Sequence, residues 1–560
     1  REKTRTRFTS VLGRTYNKLS FLSISAALFL MGCGSTTLVS TPVENIDAVP
    51  LKIAELTDAE KKHWGHLDLV TDTIPGMSVD KAYNEIIKNK RGKTVVVAVL
   101  DSGMDLEHED LQGVLWTNTD EVPNNGKDDD GNGYLDDVHG YNFLGDSYNE
   151  QLEYVRMLRL NIGDASERAE ARLLLDKEYP EAVQNKQQYE QIFQVVKGAD
   201  QLVKTELGKE DYTKKDLLSI EPKTAQMEQS VAVLTQMFTY GDSIPEVLEE
   251  LEEGIKYFSE QANYNLNKDF NGRAPVGDDP YDITDVPYGN GNPKNQVDTE
   301  SHGTHVAGII AATRNNGVGV DGVANNVEIM SIRAVPNGDE YDKDIAFGIR
   351  YAVDNGASII NCSFGKSFSP KAEWVYDAIK YAASKDVLIV HAAGNDGEDL
   401  EDPENRNYPN DDMDEDREFV DNMITVGALS SNYGSEMVAS FSNYGNQRVD
   451  VFAPGAEIYS TMPDNDYEFQ GGTSMAAPAV AGVAALIRSF HPDLSASQVK
   501  NIIMQSGLRT KASVIVAGDQ TKATTFDKIS KSGKMVNAYN ALILANNISN
   551  GKMTLEKNSK

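Results

Sequence analysis

Ser474 stands in the run Gly471-Gly472-Thr473-Ser474-Met475-Ala476-Ala477-Pro478, where a turn of glycines delivers a hydroxyl to what reads as the first turn of a helix. A helix N-terminus favours developing negative charge, which suits a nucleophile there. An ordinary serine N-cap is the competing reading, because caps select serine. Asp101 closes the run Thr94-Val95-Val96-Val97-Ala98-Val99-Leu100 and is followed by Ser102-Gly103. A carboxylate at the C-terminal end of a buried strand occupies the place where open α/β sheets hold ligands and catalysts; a turn-forming Asp before Gly is the plainer alternative. His302 and His305 lie in Ser301-His302-Gly303-Thr304-His305-Val306-Ala307-Gly308. Hydroxyl, imidazole and carboxylate are the three groups that nucleophilic catalysis asks for: a base takes the hydroxyl proton and an acid orients the base. Zinc is not expected from the two histidines, since an i,i+3 pair without a nearby glutamate is not the metalloprotease pattern.

These residues need elements to carry them. The continuous β-branched run before Asp101 has the signature of a strand buried on both faces of a parallel sheet. Apolar strands follow near 329–332, 358–363, 387–392, 424–428 and 449–453, with helical patterns at 341–355 and 372–385 between the earlier ones. That rhythm predicts an α/β fold, a mostly parallel sheet with helices on both faces. The small, apolar stretch Ala479 to Ile487 behind Ser474 belongs to a core helix, and a last helix is expected over 533–545.

A second constellation is Asp128-Asp129-Asp130-Gly131-Asn132-Gly133-Tyr134-Leu135-Asp136-Asp137. Oxygens at alternate positions, with glycine at the sharp turn, match the first half of a calcium loop. In that register Asp128, Asp130, Asn132 and the Tyr134 carbonyl are ligands, and Asp136 takes the water-linked position. His139 stands where the closing glutamate of a full EF-hand would be. A solvated cluster of Asx turns is the alternative, although unpaired carboxylates crowded in one loop repel.

Between 147 and 270 the character changes to helical periodicity. Tyr189, Ile192, Val196, Ala199 and Val203 fall at helical spacing, and Ser243 with Glu246 forms a capping-box pattern.

Three motifs, Leu100-Asp101-Ser102-Gly103, His302-Gly303-Thr304-His305-Val306-Ala307-Gly308 and Gly472-Thr473-Ser474-Met475-Ala476-Ala477-Pro478, come in the order Asp…His…Ser already known for subtilisin. With them the chain resembles the subtilisin-like serine proteases, the subtilases, over about 65–145 and 275–545. The resemblance implies a subtilisin-like three-layer fold and a serine endopeptidase: Ser474 as nucleophile, His302 as general base and acid, Asp101 orienting it, His305 structural. Asn395, in Ala392-Ala393-Gly394-Asn395-Asp396, matches the family's oxyanion-hole asparagine. It also implies a protein or peptide substrate bound as an added strand between Ser363-Phe364-Gly365 and Ala392-Ala393-Gly394. A catalytically silent binding lipoprotein on the same fold is the rival reading. Asp101 and His302 are 201 positions apart, a wider gap than the family usually shows. The helices in that gap either cover the cleft or act as a spacer.

The formal charge of -33, from 53 basic and 86 acidic residues, argues against nucleic acid as a partner. Arg1, Lys3, Arg5, Arg7, Arg14 and Lys18 precede an apolar stretch that ends in Leu30-Met31-Gly32-Cys33. It reads as a lipoprotein signal over 1–33 with Cys33 lipidated. The expectation is a monomer anchored by lipid in a bacterial cell envelope, facing the periplasm or exterior. Cys362, inside an apolar run, is then left without a disulfide partner and reads as a buried small residue. The resulting division is a signal at 1–33, a tether and N-terminal segment at 34–64, peptidase parts at 65–146 and 271–545, a helical insertion at 147–270 and a tail at 546–560.

Overall fold

The structure, a computed structural model, describes residues 40–44, 46–48, 55–297, 299–414 and 417–556; the signal stretch with Cys33 lies outside them. Nine strands form the main sheet: β1 (Val95–Asp101), β2 (Gly140–Asn142), β3 (Val327–Arg333), β4 (Ile359–Cys362), β5 (Leu388–Ala392), β6 (Met423–Leu429), β7 (Val451–Pro454), β8 (Leu508–Arg509) and β9 (Lys534–Met535). Their order is β8-β9-β7-β6-β5-β4-β1-β3-β2, parallel throughout except for β8 against β9. The fold is therefore α/β with a mostly parallel sheet. Strand β1 lies between β3 and β4, so the chain reverses direction of growth there, and the groups beyond its C-terminal end open onto a crevice.

Burial explains the strand sequences. In β1 every residue but Val96 is buried, and β6 is buried throughout, which selects the unbroken apolar runs. The helix Thr473–Phe490 runs through the middle of the core. It is apolar enough to cross a bilayer by length and composition, yet 89% of it is buried inside the protein. Ala476, Ala477, Val480, Ala481 and Ala484 are all fully buried along it. The helix His302–Ala311 packs closely as well: a Cβ on Gly308 would sit 2.2 Å from the Thr461 hydroxyl, so no larger residue fits.

Ahead of β1, the described residues 55–64 pack onto the body. Thr57 and Glu60 form a capping box on the helix Asp58–His63, and Trp64, 2% exposed, donates from its indole nitrogen to the Ala456 and Glu457 carbonyls. At the other end the helix is Ala538–Ser549, later than the periodicity suggested, and Glu556 still bonds to Gln505.

The helical segment consists chiefly of Glu153–Leu160, the 43-residue helix Ala165–Leu207, Ala225–Met237 and Ile244–Glu260. The Ser243/Glu246 capping box forms there. Two apolar cores hold the segment. One gathers Val196, Val203, Leu217, Leu234 and Ile244; the other gathers Tyr154, Met157, Ala171 and Leu175 with Phe368 of the body.

Candidate active site

The site is built on the β1–β4 pair. Leu100 of β1 is in register with Cys362 of β4, which sets Asp101 and Ser363 side by side where the strands end. Asp101 is 1% exposed and its Oδ1 accepts from His302 Nδ1 at 2.7 Å and from the Ser102 amide at 2.7 Å. Glu300 steadies the turn beneath it, accepting from the Gly103 amide at 3.1 Å and from Arg333 Nε at 2.6 Å. Sequence reading missed both Glu300 and Arg333, because a buried ion pair between a loop and a strand end leaves no local pattern.

His302 opens its helix with its ring held at Nδ1 by Asp101 and its side chain 38% exposed. Burial pulls its pKa down, but the Asp101 charge and hydrogen bond outweigh that and raise it. His305, one turn on, is fully buried and directs Nε2 at the Ile458 and Glu468 carbonyls, 3.0 and 3.1 Å away. Burial holds its pKa down at about 4. A ring donating to two backbone carbonyls ties the helix to the strands that carry them.

Ser474 is the one residue from Thr473 to Ser489 whose side of the helix is not buried. Its hydroxyl donates to the Ser363 carbonyl at 3.1 Å, and the Ser363 hydroxyl donates back to the Ser474 carbonyl at 2.7 Å. Among the described residues, the hydroxyl in this rotamer is bonded to the Ser363 carbonyl and not to His302.

Asn395 follows β5. Its Oδ1 accepts from the Thr473 amide at 2.8 Å and from the Thr473 hydroxyl at 2.9 Å, which fixes the amide plane and leaves Nδ2 to donate elsewhere. A Cβ built on Gly472 would lie 3.5 Å from Asn395 Nδ2 and 3.6 Å from the Ser474 amide nitrogen. The Asn395 side-chain amide and the Ser474 backbone amide thus lie near one another, the two donor types that an oxyanion site uses.

Phe364, Gly365, Ala392, Gly394, Asn395 and Ser474 share a cleft of about 500 Å³. Ser363 borders it through its bonds to Ser474, and Ala393 is buried behind, its carbonyl taking Asn443 Nδ2. His391, unremarked in the sequence, donates from Nε2 to the Phe364 carbonyl at 2.8 Å and ties the two walls together. Cys362 is fully buried, and burial first, then the charges of Asp101 and Glu340, pushes its thiol pKa far up, so it is no nucleophile.

With this geometry in place, comparison with known proteins is decisive. The subtilase family (peptidase S8) profile matches residues 92–530. The chain belongs to the subtilase family. It is 42% identical to subtilisin DY of Bacillus licheniformis over 206 residues, 37% of this chain and 69% of that one. It is 37% identical to thermitase of Thermoactinomyces vulgaris over 247 residues, 43% of this chain and 74% of that one. With the thermophilic serine proteinase of Bacillus sp. (strain AK1) it shares 40% identity over 222 residues, 40% of this chain and 48% of that protein, about half its length.

Away from the cleft, the acidic loop is arranged differently from the EF-hand register. Carboxylate oxygens of Glu121, Asp128 and Asp130 lie within 4.8 Å of one another. Asp136 is turned away: at φ 52° it directs its carboxylate to the Asn125 and Gly126 amides, 3.0 and 2.9 Å off. Asn132 Oδ1 accepts from the Tyr134 amide, and the Tyr134 ring packs edge-on against Tyr141 and Tyr351. Asp137 is buried on Asn118, Asn132 and Tyr351, and burial pushes its pKa up to about 6. Glu121, seven residues before the motif, escaped sequence reading. It is 6% exposed, with Oε1 on the Asp129 and Asp130 amides and Oε2 without any partner. A buried, unpartnered carboxylate oxygen beside two more carboxylates fits a hard divalent cation. The other cluster with metal-ligand chemistry among the described residues is His63, His66 and Asp80, where His63 Nε2 meets Asp80 at 2.8 Å and Arg314 stands 3.7 Å from the same carboxylate.

Proposed function

We propose that this chain is a serine endopeptidase that cleaves proteins or peptides through an acyl-enzyme on Ser474. The observation that carries the reading is the Asp101–His302 bond of 2.7 Å on the same strand pair that bears the Ser474–Ser363 contact. Rotation about the Ser474 Cα–Cβ bond would release the hydroxyl from the Ser363 carbonyl and offer its proton to His302 Nε2. As the oxygen attacks the peptide carbonyl, His302 takes the proton, Asp101 stabilises the imidazolium, and Asn395 Nδ2 with the Ser474 amide holds the oxyanion. His302 then protonates the departing amine, and water repeats the sequence to free the enzyme. The peptide would lie between Ser363–Gly365 and Ala392–Gly394, gaining affinity from its backbone. A fluorophosphonate probe tests this: it should label the native chain and fail on Ser474→Ala. A native chain left unlabelled would favour the silent binding fold instead.

We also propose that Glu121, Asp128 and Asp130 bind a structural calcium ion, which would stiffen the loop without taking part in the chemistry. Export as a lipoprotein through Cys33 remains a proposal from sequence; radiolabelled fatty acid should enter the native precursor and not Cys33→Ala.

A further inference from the structure

The cleft beside Ser474 has a wall that the peptidase strands do not supply. Leu152, Tyr154, Leu174 and Glu178, from the helical segment, line the same cavity as Ser474, Phe364 and Asn395. This wall is fastened to the body. Lys366, next to Gly365, is buried and pairs with Glu153 at 2.9 Å and Asp342 at 2.9 Å; Arg406 pairs with Glu170 at 2.7 Å; Phe368 packs in one core with Tyr154 and Leu175. Such fastening makes a fixed wall, not a swinging cover.

The floor has polarity too. Asn407 donates from Nδ2 to the Ala392 carbonyl at 3.0 Å, and a Cβ on Gly365 would sit 2.2 Å from its Oδ1. The Asn407 amide therefore bridges the two strand walls and presents an acceptor without a donor. The cavity-lining charges are Glu178, Asp339, Asp396 and Glu398 against Lys366 and Arg406. Both cations are already paired with carboxylates of the segment or body, whereas Glu178 is met by a neutral hydroxyl, that of Tyr154. Burial first, then the charges of Asp396 and Asp402, pushes the Glu398 pKa up.

We infer that the helical segment completes the pocket for the side chain on the acyl side of the scissile bond, and that Glu178, held by Tyr154, gives it a preference for lysine or arginine. The apolar stem of such a side chain suits Leu174, Phe364 and Phe368, while its charged head finds Glu178 and Asn407 Oδ1 as acceptors. This rests on the peptidase reading above.

The test uses the full chain and peptidyl anilides that differ only in the residue before the scissile bond: lysine, arginine, leucine, phenylalanine or glutamate. The native enzyme should favour lysine over leucine in kcat/KM by about tenfold or more, with glutamate last, because like charges in a cleft repel. Glu178→Gln should lower the lysine-to-leucine ratio at least about fivefold, and Glu178→Lys should reverse the order of lysine and glutamate. A native enzyme that favours leucine or phenylalanine overturns the inference, as does a ratio unmoved in well-folded Glu178→Gln. The native ratio decides without any variant. If fluorophosphonate labelling of the native chain fails, the peptidase reading itself falls; if labelling succeeds and the lysine preference is missing, only the pocket reading falls.

Discussion

At the scale of single residues, Asn395 does two jobs that substitution can separate. Its Oδ1 satisfies the buried Thr473 amide, and its Nδ2 is the free donor. Asn395→Asp keeps the acceptor and removes the donor, so turnover should fall by about 10²–10³ with the melting temperature nearly unchanged. Asn395→Leu removes both and should lose, besides turnover, about 1–3 kcal/mol of stability, read by urea denaturation. A parallel fall in stability for both variants would mean that the residue is only a fastening. His302 gives a pH prediction. The Asp101 charge and bond win over burial and raise its pKa, and catalysis needs the neutral ring, so kcat/KM should fall as pH drops through a value above the ordinary 6.5. In Asp101→Asn the raising influences go while burial stays, so the acid limb should move to lower pH, under a plateau smaller by about 10⁴.

Elements carry the next level. The motifs around Asp101, His302 and Ser474 could be read because each sits at an element's end, where a buried strand or small-residue helix announces itself locally. The acidic loop shows where that stops. Alternation of oxygens suggested Asp136 as a ligand, yet the left-handed turn at that residue sends its side chain to cap 125–126, and Glu121 comes in from outside the repeat. Local spacing cannot predict which way a turn aims its side chains. If calcium binds there, saturation should stabilise the native chain: at a free concentration of a hundred times Kd the gain is about 2.7 kcal/mol. Thermal melting with calcium and with chelator measures it. Glu121→Gln should abolish most of the calcium-dependent shift while keeping an acceptor for the Asp129 and Asp130 amides. A calcium shift equal in the variant and the native chain would remove Glu121 from the ligand set.

For the whole molecule, the question is why a peptidase fold should carry its long helical segment so rigidly. The 43-residue helix is about 65 Å long at 1.5 Å per residue, far more than a wall for one cleft requires. Its two apolar cores divide the labour. The core of Val196, Val203, Leu217, Leu234 and Ile244 is self-contained at the far end, whereas that of Tyr154, Met157, Ala171 and Leu175 includes Phe368 of the body. The helices themselves were legible in the sequence, but their docking onto the body was not, because Lys366 and Glu153 are 213 positions apart and periodicity reports a helix's apolar face but not its partner. The division leads to opposite outcomes for two deletions. Replacing 190–256 by a short turn should leave the cleft wall and the Glu153–Lys366 pair intact, and with them the urea midpoint of the body and the lysine-to-leucine ratio. Removing 153–264 leaves Lys366, whose side chain is 2% exposed, short of one of its two carboxylates, and strips the body of the Arg156 cation that bonds the Asp339 and Glu340 carbonyls. Breaking a buried ion pair from one side costs about 3–5 kcal/mol, so that chain should unfold at markedly lower urea. Restoring Tyr154 and Glu153 alone, on a short helix grafted back at 150–162, should recover part of the loss; no recovery would mean that the segment stabilises the body by bulk packing and not through this ion pair.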